Sequence, residues 1–299
     1  MKKLFLFFLT SLIFLTAQEK DKYLYDLESV VFEPVEFIHD KNVKGKINSL
    51  TFTPDGNEIY FSYIDEFREV KIYFSKYVDG IWSQSKEVSF SSSKNDNNPF
   101  ITCDGKRLYF ASQRPLEYNP SKTDYDIWYV ERIDSAWGEP VRINNRLINS
   151  PDNEGTPVVD KNGNLYFSSS RKDGFGKNDI YLAKFDGNDF TEVVNLGPSV
   201  NSAFDDFYPM VDSESNLLLF SSYRGEGNGL AEIYFAEMNN FSVENIKVLN
   251  GLVNTEGYEY APYLAPGNKY LFFTRIRGKE RKILYINKEV VGVNFKIER

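Results

Sequence analysis

A phenylalanine returns along this chain at a nearly fixed interval, and no other feature constrains the fold as much. Phe61, Phe110, Phe167, Phe220 and Phe273 are the third residues of "IYFSY", "LYFAS", "LYFSS", "LLFSS" and "LFFTR". The spacings are 49, 57, 53 and 53 residues. Each run is followed by a polar or glycine-rich loop and then a second apolar run: "KIYFS", "DIWYV", "DIYLA", "EIYFA" and "KILYI". A supersecondary unit repeated about every fifty residues is the period of a β-propeller blade.

The rest of each unit fits four strands. The segment before the phenylalanine run ends in "TPDG" (53–56), "TCDG" (102–105), "DKNG" (160–163), "DSES" (212–215) or "APGN" (265–268). Several of these are Asp-Gly or Asn-Gly pairs, which suit hairpins because glycine accepts positive φ. After the second apolar run a further turn leads to an aromatic and a last strand: Trp82 and Val88, Trp137 and Val141, Phe190 and Val193. Tyr plus Phe supply 45 residues, a content that favours strands. The pattern predicts an all-β propeller of four-stranded antiparallel blades in one domain, 18–299. Its units lie near 47–90, 96–144, 153–196, 206–249 and 259–299. Five blades are expected, with six as the alternative if the two ends build a degenerate blade.

The glycine-rich stretch "SSSRKDGFGKNDIY" (168–181) looks at first like a phosphate cradle. Its counterparts are "LEYNPSKTD" and "GEGNGL", and no helix follows whose N-terminus would hold an anion. It reads as the loop between the second and third strands of a blade.

An orphan strand precedes the first unit. "FEPVEFI" (32–38) shares Glu-Pro-Val with the fourth-strand segment "GEPVRIN" (138–144). The N-terminal strand is therefore expected to complete the last blade, closing the ring and removing two sheet edges. "VNFKIER" (293–299) also resembles a fourth strand and competes for that place.

"TPDGNEIYFS", "CDGKRLYFASQR…DYDIWYV" and "NEGTPVVDKNGNLYFSSSR…NDIYLA" resemble the TolB-type, WD-like propeller repeats of bacterial envelope proteins. "WGEPVRINNRLINS" and "NLGPSVNS" are similar to the connecting segments of exported members. The resemblance covers residues 28–299. It implies a propeller; function has to be argued from a site, because propellers host many roles.

Aligned on the repeated phenylalanine, the starts of the first strands hold Ile47, Asp96, Glu154, Asp206 and Glu259. Four residues after the phenylalanine stand Asp65, Arg114, Arg171, Arg224 and Arg277. Acid and arginine occur together in four units and are both missing from the first. In an antiparallel pair the start of one strand lies beside the end of the next. The pattern thus points to a repeated carboxylate–guanidinium clamp. The competing reading makes Asp96, Glu154, Asp206, Glu259 and Asp65 a binding set at the channel mouth, able to hold Ca²⁺ or to perform acid–base chemistry.

Asp126, Asp179 and Glu232 open the third strands and read as solvated loop acids, with Lys71 and Lys282 in the outer units. Asp124 with Asp126, or Asp205 with Asp206, could hold Ca²⁺, though neither has EF-hand spacing. Trp82, Trp128 and Trp137 read as packing between blades. Cys103 stands in the turn slot that holds Pro54 in the first unit. A single histidine, His39, excludes clustered histidine metal sites and most His-based triads.

"MKKLFLFFLTSLIFLTA" (1–17) combines a basic start with a twelve-residue apolar run and reads as a secretory signal peptide. Without Lys2 and Lys3 the formal charge moves from −8 to −10, which argues against a nucleic-acid partner. The expectation is an exported module, periplasmic or secreted, with no cofactor and no integral membrane span after cleavage. It would bind an envelope protein or glycan through one face. The alternative is a glycosidase-like enzyme using the mouth carboxylates. No Ser-x-Asp-x-Gly-x-x-Trp sialidase box is present.

Overall fold

The computed structural model describes residues 33–212, 216–225, 230–239 and 241–291. The segment read as a signal peptide, Phe32 of the orphan strand and the tail 293–299 lie outside the described residues.

The protein is a five-bladed β-propeller. After β1 (Val35–Glu36), blade 1 comprises β2 (Ile47–Phe52), β3 (Glu58–Ile64) and β4 (Val70–Val78), with β5 (Ile81–Trp82) and β6 (Lys86–Glu87) both pairing with β4. Blade 2 repeats this plan: β7 (Asp96–Ile101), β8 (Arg107–Ser112) and β9 (Asp126–Ile133), flanked by β10 (Ala136–Trp137) and β11 (Val141–Arg142). Blade 3 is β12 (Glu154–Val159), β13 (Leu165–Ser169), β14 (Asp179–Phe185) and β15 (Phe190–Asn195). Blade 4 is β16 (Asp206–Asp212), β17 (Leu217–Ser222), β18 (Glu232–Asn239) and β19 (Ser242–Val248). Blade 5 has β20 (Tyr258–Leu264), β21 (Tyr270–Arg277) and β22 (Glu280–Asn287).

Its fourth strand is β1. Val35 pairs with Tyr285 and Glu36 with Leu284, and Phe37 N donates to Ile283 O at 2.8 Å. The ring therefore closes through the N-terminal strand, as "FEPVEFI" predicts. The C-terminal segment also contributes. Val291, in a 3-10 turn after β22, is 2% exposed in the main core. Asn250 Nδ2 donates to Val290 O, as Asn145 Nδ2 donates to Phe190 O in blade 3. Residues up to Val291 thus take the place where a fourth strand would begin, and β1 supplies the rest.

The repeated phenylalanines are the deepest core: Phe61, Phe110, Phe167 and Phe220 are 0% exposed and Phe273 is 1%. Every first strand carries a register shift against the second, between Ile47/Leu50, Asn97/Phe100, Gly155/Val158, Phe207/Met210 and Tyr260/Tyr263. In blades 2 to 5 the bulged residue has positive φ: Asn98, Thr156, Tyr208 and Ala261. Each precedes a proline (99, 157, 209, 262), whose missing N–H suits a position where the ladder is interrupted. Blade 1 has Ser49-Leu50 there and no proline. The bulges stitch neighbouring blades: Asn98 N donates to Ser62 Oγ, Tyr208 N to Thr156 Oγ1 and Ala261 N to Ser221 Oγ.

Candidate functional site

The first strands ring a central channel. They begin at one face, here called upper, where the loops between second and third strands also lie. They end at the lower face in the tight turns. The channel is bridged inside. Tyr208 OH donates to Asn98 Oδ1 at 3.0 Å and accepts from Asn48 Nδ2 at 2.8 Å. Tyr260 OH donates to Asn48 Oδ1 at 2.7 Å. Burial holds the Tyr208 phenol far above its ordinary range, so it stays a neutral donor. The bulge at Tyr208 aims this ring across the bore and so connects blades 1, 2 and 4. Removing its hydroxyl in Tyr208→Phe leaves Asn48 and Asn98 each short of a bond. The expected loss is about 1–3 kcal/mol, read by chemical denaturation.

On either side of this bridge lies a cavity. The lower one, about 370 Å³, is walled by Phe52, Phe100, Met210 and Tyr263, with Cys103 at its rim. The upper one, about 380 Å³, lies over blades 2 to 4 with Asn98 and Tyr208 in its wall and Glu154 beside it.

Asp96, Glu154, Asp206 and Glu259 all stand at the upper ends of first strands and are at most 1% exposed. Each accepts a backbone N–H from four residues earlier: Ser92, Ser150, Ser202 and Thr255. Each also faces an arginine. Arg114 lies 3.1 Å from Asp96, Arg171 3.5 Å from Glu154 and Arg224 2.7 Å from Asp206. For Glu259 the partner is Arg275, at 2.8 Å. The spacing argument named Arg277, and the structure corrects it: Arg277 is exposed near the upper end of β21, opposite Glu280. The reason is geometric. β21 and β22 are joined by a two-residue turn, so β21 continues outward past the clamp. Arg275 takes the position of Ser112, Ser169 and Ser222, opposite the acid.

The guanidinium groups nevertheless reach equivalent places. Arg114 donates to Phe90 O, Arg171 to Leu147 O and Ile148 O, Arg224 to Ser199 O and Val200 O, and Arg275 to Leu252 O and Val253 O. Each therefore ties its acid to the segment entering the blade. Burial pushes the Glu154 carboxyl up to about 7, opposed by hydrogen bonds from Ser150 and Ser169 and by the charge of Arg171.

Asp65, the first-unit counterpart of the arginines, accepts from the backbone N–H of Phe67 and Glu69 and shapes the β3–β4 loop. Ile47 faces Tyr63, whose hydroxyl accepts from Lys46 Nζ. Blade 1 has no clamp.

Asp126 and Asp179 are not solvated, contrary to the sequence reading: they are 0% and 1% exposed. Asp126 binds Arg142 and Lys122. Lys122 Nζ lies 2.7 Å from Asp124 and 3.2 Å from Asp126, so an ammonium holds the position offered to a calcium ion. Asp205 accepts from Asn178 while Asp206 turns to Arg224. Among the described residues no group of three or more acidic, histidine or cysteine side chains is arranged to hold a metal. Asp179 explains the glycine-rich stretch. Its carboxylate accepts from Phe175 N at 2.6 Å and Gly176 N at 2.9 Å. The backbone does form an anion cradle, and the chain's own carboxylate fills it. Gly176 is required, since a Cβ there would meet Phe204 O at 1.9 Å.

Buried asparagines are a second set the sequence reading passed over. Asn149, Asn201 and Asn254 each exchange two hydrogen bonds with the backbone of the third-strand isoleucines Ile127, Ile180 and Ile233. Their sequence signal is the Asn-Ser/Thr pair at 149–150, 201–202 and 254–255.

The upper loops expose aromatic rings. Phe67, Tyr118 and Phe175 stand in the second-to-third-strand loops of blades 1, 2 and 3, at 78%, 79% and 51% exposure. Phe204, in the loop entering blade 4, is 55% exposed, and its backbone contacts the Phe175 loop through the Lys177 N–Phe204 O bond.

No protein-family model and no curated protein matches the chain. Among solved structures it is similar to a TolB-type protein from Agrobacterium tumefaciens, at 12% identity and a TM-score of 0.56, over 82% of this chain and 78% of that one. It is similar to TolB from Acinetobacter baumannii at 15% identity and a TM-score of 0.52, over 80% of this chain and 54% of that one. It is also similar to an α-L-arabinofuranosidase from Podospora anserina, at 12% identity and a TM-score of 0.52, over 86% and 96%. Such likenesses define the propeller fold and leave function to the site.

Proposed function

We propose that this chain is an exported binding module of the cell envelope that docks a protein partner on its upper face. The observation that carries this reading is the row of aromatic tips on three successive loops, Phe67, Tyr118 and Phe175, extended by Phe204. Exposed aromatic rings supply the anchors of protein interfaces, and here three successive loops of one face carry one each. The clamp residues then serve the scaffold: buried and paired, they hold the blades that carry the loops. Export rests on the signal-like segment 1–17. No described helix is long and apolar enough to cross a membrane.

The test is cross-linking in living cells of the native host, with the adducts identified by mass spectrometry. The wild-type protein is expected to yield one dominant envelope protein. The triple variant Phe67→Ser/Tyr118→Ser/Phe175→Ser should fold normally and lose that adduct. An adduct retained at full yield by the triple variant would sink the reading.

A second reading is a carbohydrate-active enzyme. It is favoured by Glu154, a carboxyl whose range reaches neutral pH beside the upper cavity, as a general acid requires. Against it, Ser150, Ser169 and Arg171 already engage that carboxylate. Release of reducing sugar from envelope polysaccharide, abolished in Glu154→Gln, would establish it.

A further inference from the structure

The lower cavity takes no part in the docking face, and its walls define a ligand of their own. All five blades contribute to it, with Phe52, Phe100, Val159, Met210 and Tyr263 coming in turn from blades 1 to 5. It opens at the lower face and ends at the bridge that Tyr208 and Tyr260 make with Asn48 and Asn98, which limits its depth. The first-strand side chains that wall it are apolar except for Tyr263 and for Asp212, the last residue of β16. The Tyr263 hydroxyl is already engaged, because it accepts from Phe52 N at 3.0 Å. Water held in a cavity needs several polar partners, and an apolar cavity is filled more favourably by an apolar guest.

The walls and rim narrow the choice of guest. Aromatic rings reach the cavity from blades 1, 2 and 5. Phe52 and Tyr263 lie 6.1 Å apart and are tilted by 34° to one another, so together they offer both a face and an edge, the two contacts an aromatic guest makes well. Met210 adds a flexible thioether, which adapts to the shape of a guest and packs favourably against rings. The rim sets the charge. Asp160 and Asp212 stand there with Lys161 as the one ammonium, so acid outnumbers base. Both carboxylates are held from within, Asp160 by the N–H groups of Asn162 and Asn164 and Asp212 by the Asn268 amide. Their oxygens are engaged while their charge remains to repel an anion. A volume of about 370 Å³ lies within the range of small-molecule sites.

We infer that the lower cavity binds a neutral aromatic small molecule, seated among Phe52, Phe100 and Tyr263 and against the Met210 thioether. This goes beyond the protein-docking reading and stands apart from it.

The test compares two fluorescent probes of one ring skeleton, neutral phenylnaphthylamine and its anionic counterpart anilinonaphthalene sulfonate. The neutral probe should bind with a Kd between about 1 and 100 μM, and the sulfonate about tenfold or more weakly. Two reporters in the wild-type chain locate the probe. Met210 lines this cavity and not the neighbouring cleft between blades 2 and 3, so its methyl resonance should shift on binding while that of Met238, in β18, stays still. Cys103, the single cysteine, is exposed at the rim, and its alkylation by N-ethylmaleimide should slow at least twofold. Met210→Trp, which fills the space, should abolish binding; if that variant fails to fold, the two wild-type reporters still decide. The triple variant Phe67→Ser/Tyr118→Ser/Phe175→Ser should bind the probe as wild type does. The inference is overturned if the neutral probe does not bind, if the sulfonate binds as tightly, or if binding leaves both Met210 and Cys103 unaffected. It is also overturned if the triple variant loses the probe, which would place it on the aromatic tips. Probe binding with no dominant cross-linked adduct would leave this inference standing without the docking reading, and the reverse would leave only docking.

Discussion

Arg275→Ala should cost about 3–5 kcal/mol of stability, whereas Arg277→Ala, two residues on, should stay within about 0.5 kcal/mol of wild type. The contrast follows from burial. Arg275 Nε donates to Glu259 Oε1 at 2.8 Å, and its Nη2 donates to the carbonyls of Leu252 and Val253. Glu259 is fully enclosed. Truncating the arginine strands a buried carboxylate and two carbonyls, and the lost attraction is smaller than the cost of leaving that charge unpaired. Arg277 is exposed and takes no part in the clamp. For a domain of this size the Arg275 loss corresponds to roughly 10 °C in melting temperature. Equal melting of the two variants would mean that the clamp contributes nothing and that Glu259 is free for other work. Arg171→Ala should behave like Arg275→Ala and reduce stability more than it reduces ligand binding.

The Arg275/Arg277 pair also shows what could be read from sequence. Position along the repeat is legible because every blade must place the same large apolar group in the same layer, which is why Phe61 to Phe273 register the fold. N-terminal closure is legible because an orphan strand has an edge to satisfy. Counting forward from Phe273 fails because the functional quantity is the location of a guanidinium at the end of a long, flexible stem. Arginine reaches the same carbonyls from two different backbone positions, and only the length of the following turn decides which. The burial of Asp126 and Asp179 was hidden for a related reason. A polar residue in a loop reads as solvated unless its partners are known, and those partners, Arg142 for one and the backbone of Phe175 and Gly176 for the other, are fixed by folding. The bulge did have a sequence sign, the proline three residues after each clamp acid. The upper cavity had none, since Asn97, Gly155 and Tyr223 come from three different blades.

Stability should fall by about 3 kcal/mol as pH drops from 6.5 to 4, through the single histidine. His39 follows β1 and sits in the closing seam. Its ring stacks on Phe37 at 5.5 Å and meets Phe61 and Trp82 edge-on at 5.0 and 5.8 Å. Nε2 lies 3.3 Å from Ser85 Oγ, and Nδ1 is buried with no partner among the described residues. Burial lowers the imidazole from 6.5 to about 4, only partly offset by the charge of Asp40. Glu36, Lys44, Arg281 and Lys282 line the same small cleft, so cations face it as well as acids. The unfolded chain binds the proton near 6.5 and the folded one near 4. Between those values the unfolded state holds more protons, and stability declines as pH falls. Glu154 acts in the opposite sense: its folded carboxyl titrates near 7, above the unfolded value, so protonating it favours folding as pH drops. The total pH curve mixes the two, and the informative quantity is the difference between wild type and His39→Phe. That difference should shift against wild type by about 3 kcal/mol across the window, while Glu154 cancels. A flat difference would show that the imidazole protonates freely in the folded protein. The loss should also be local. β1 contributes two paired residues, so the protection of the Phe37 amide against exchange, taken relative to its intrinsic rate at each pH, should fall at pH 5 before that of Phe110, deep in blade 2. A ring that loosens first at its seam follows from how it is closed: four blades are each built from one continuous stretch of chain, and the fifth is completed by a short segment from the other end, which carries the chain's single histidine.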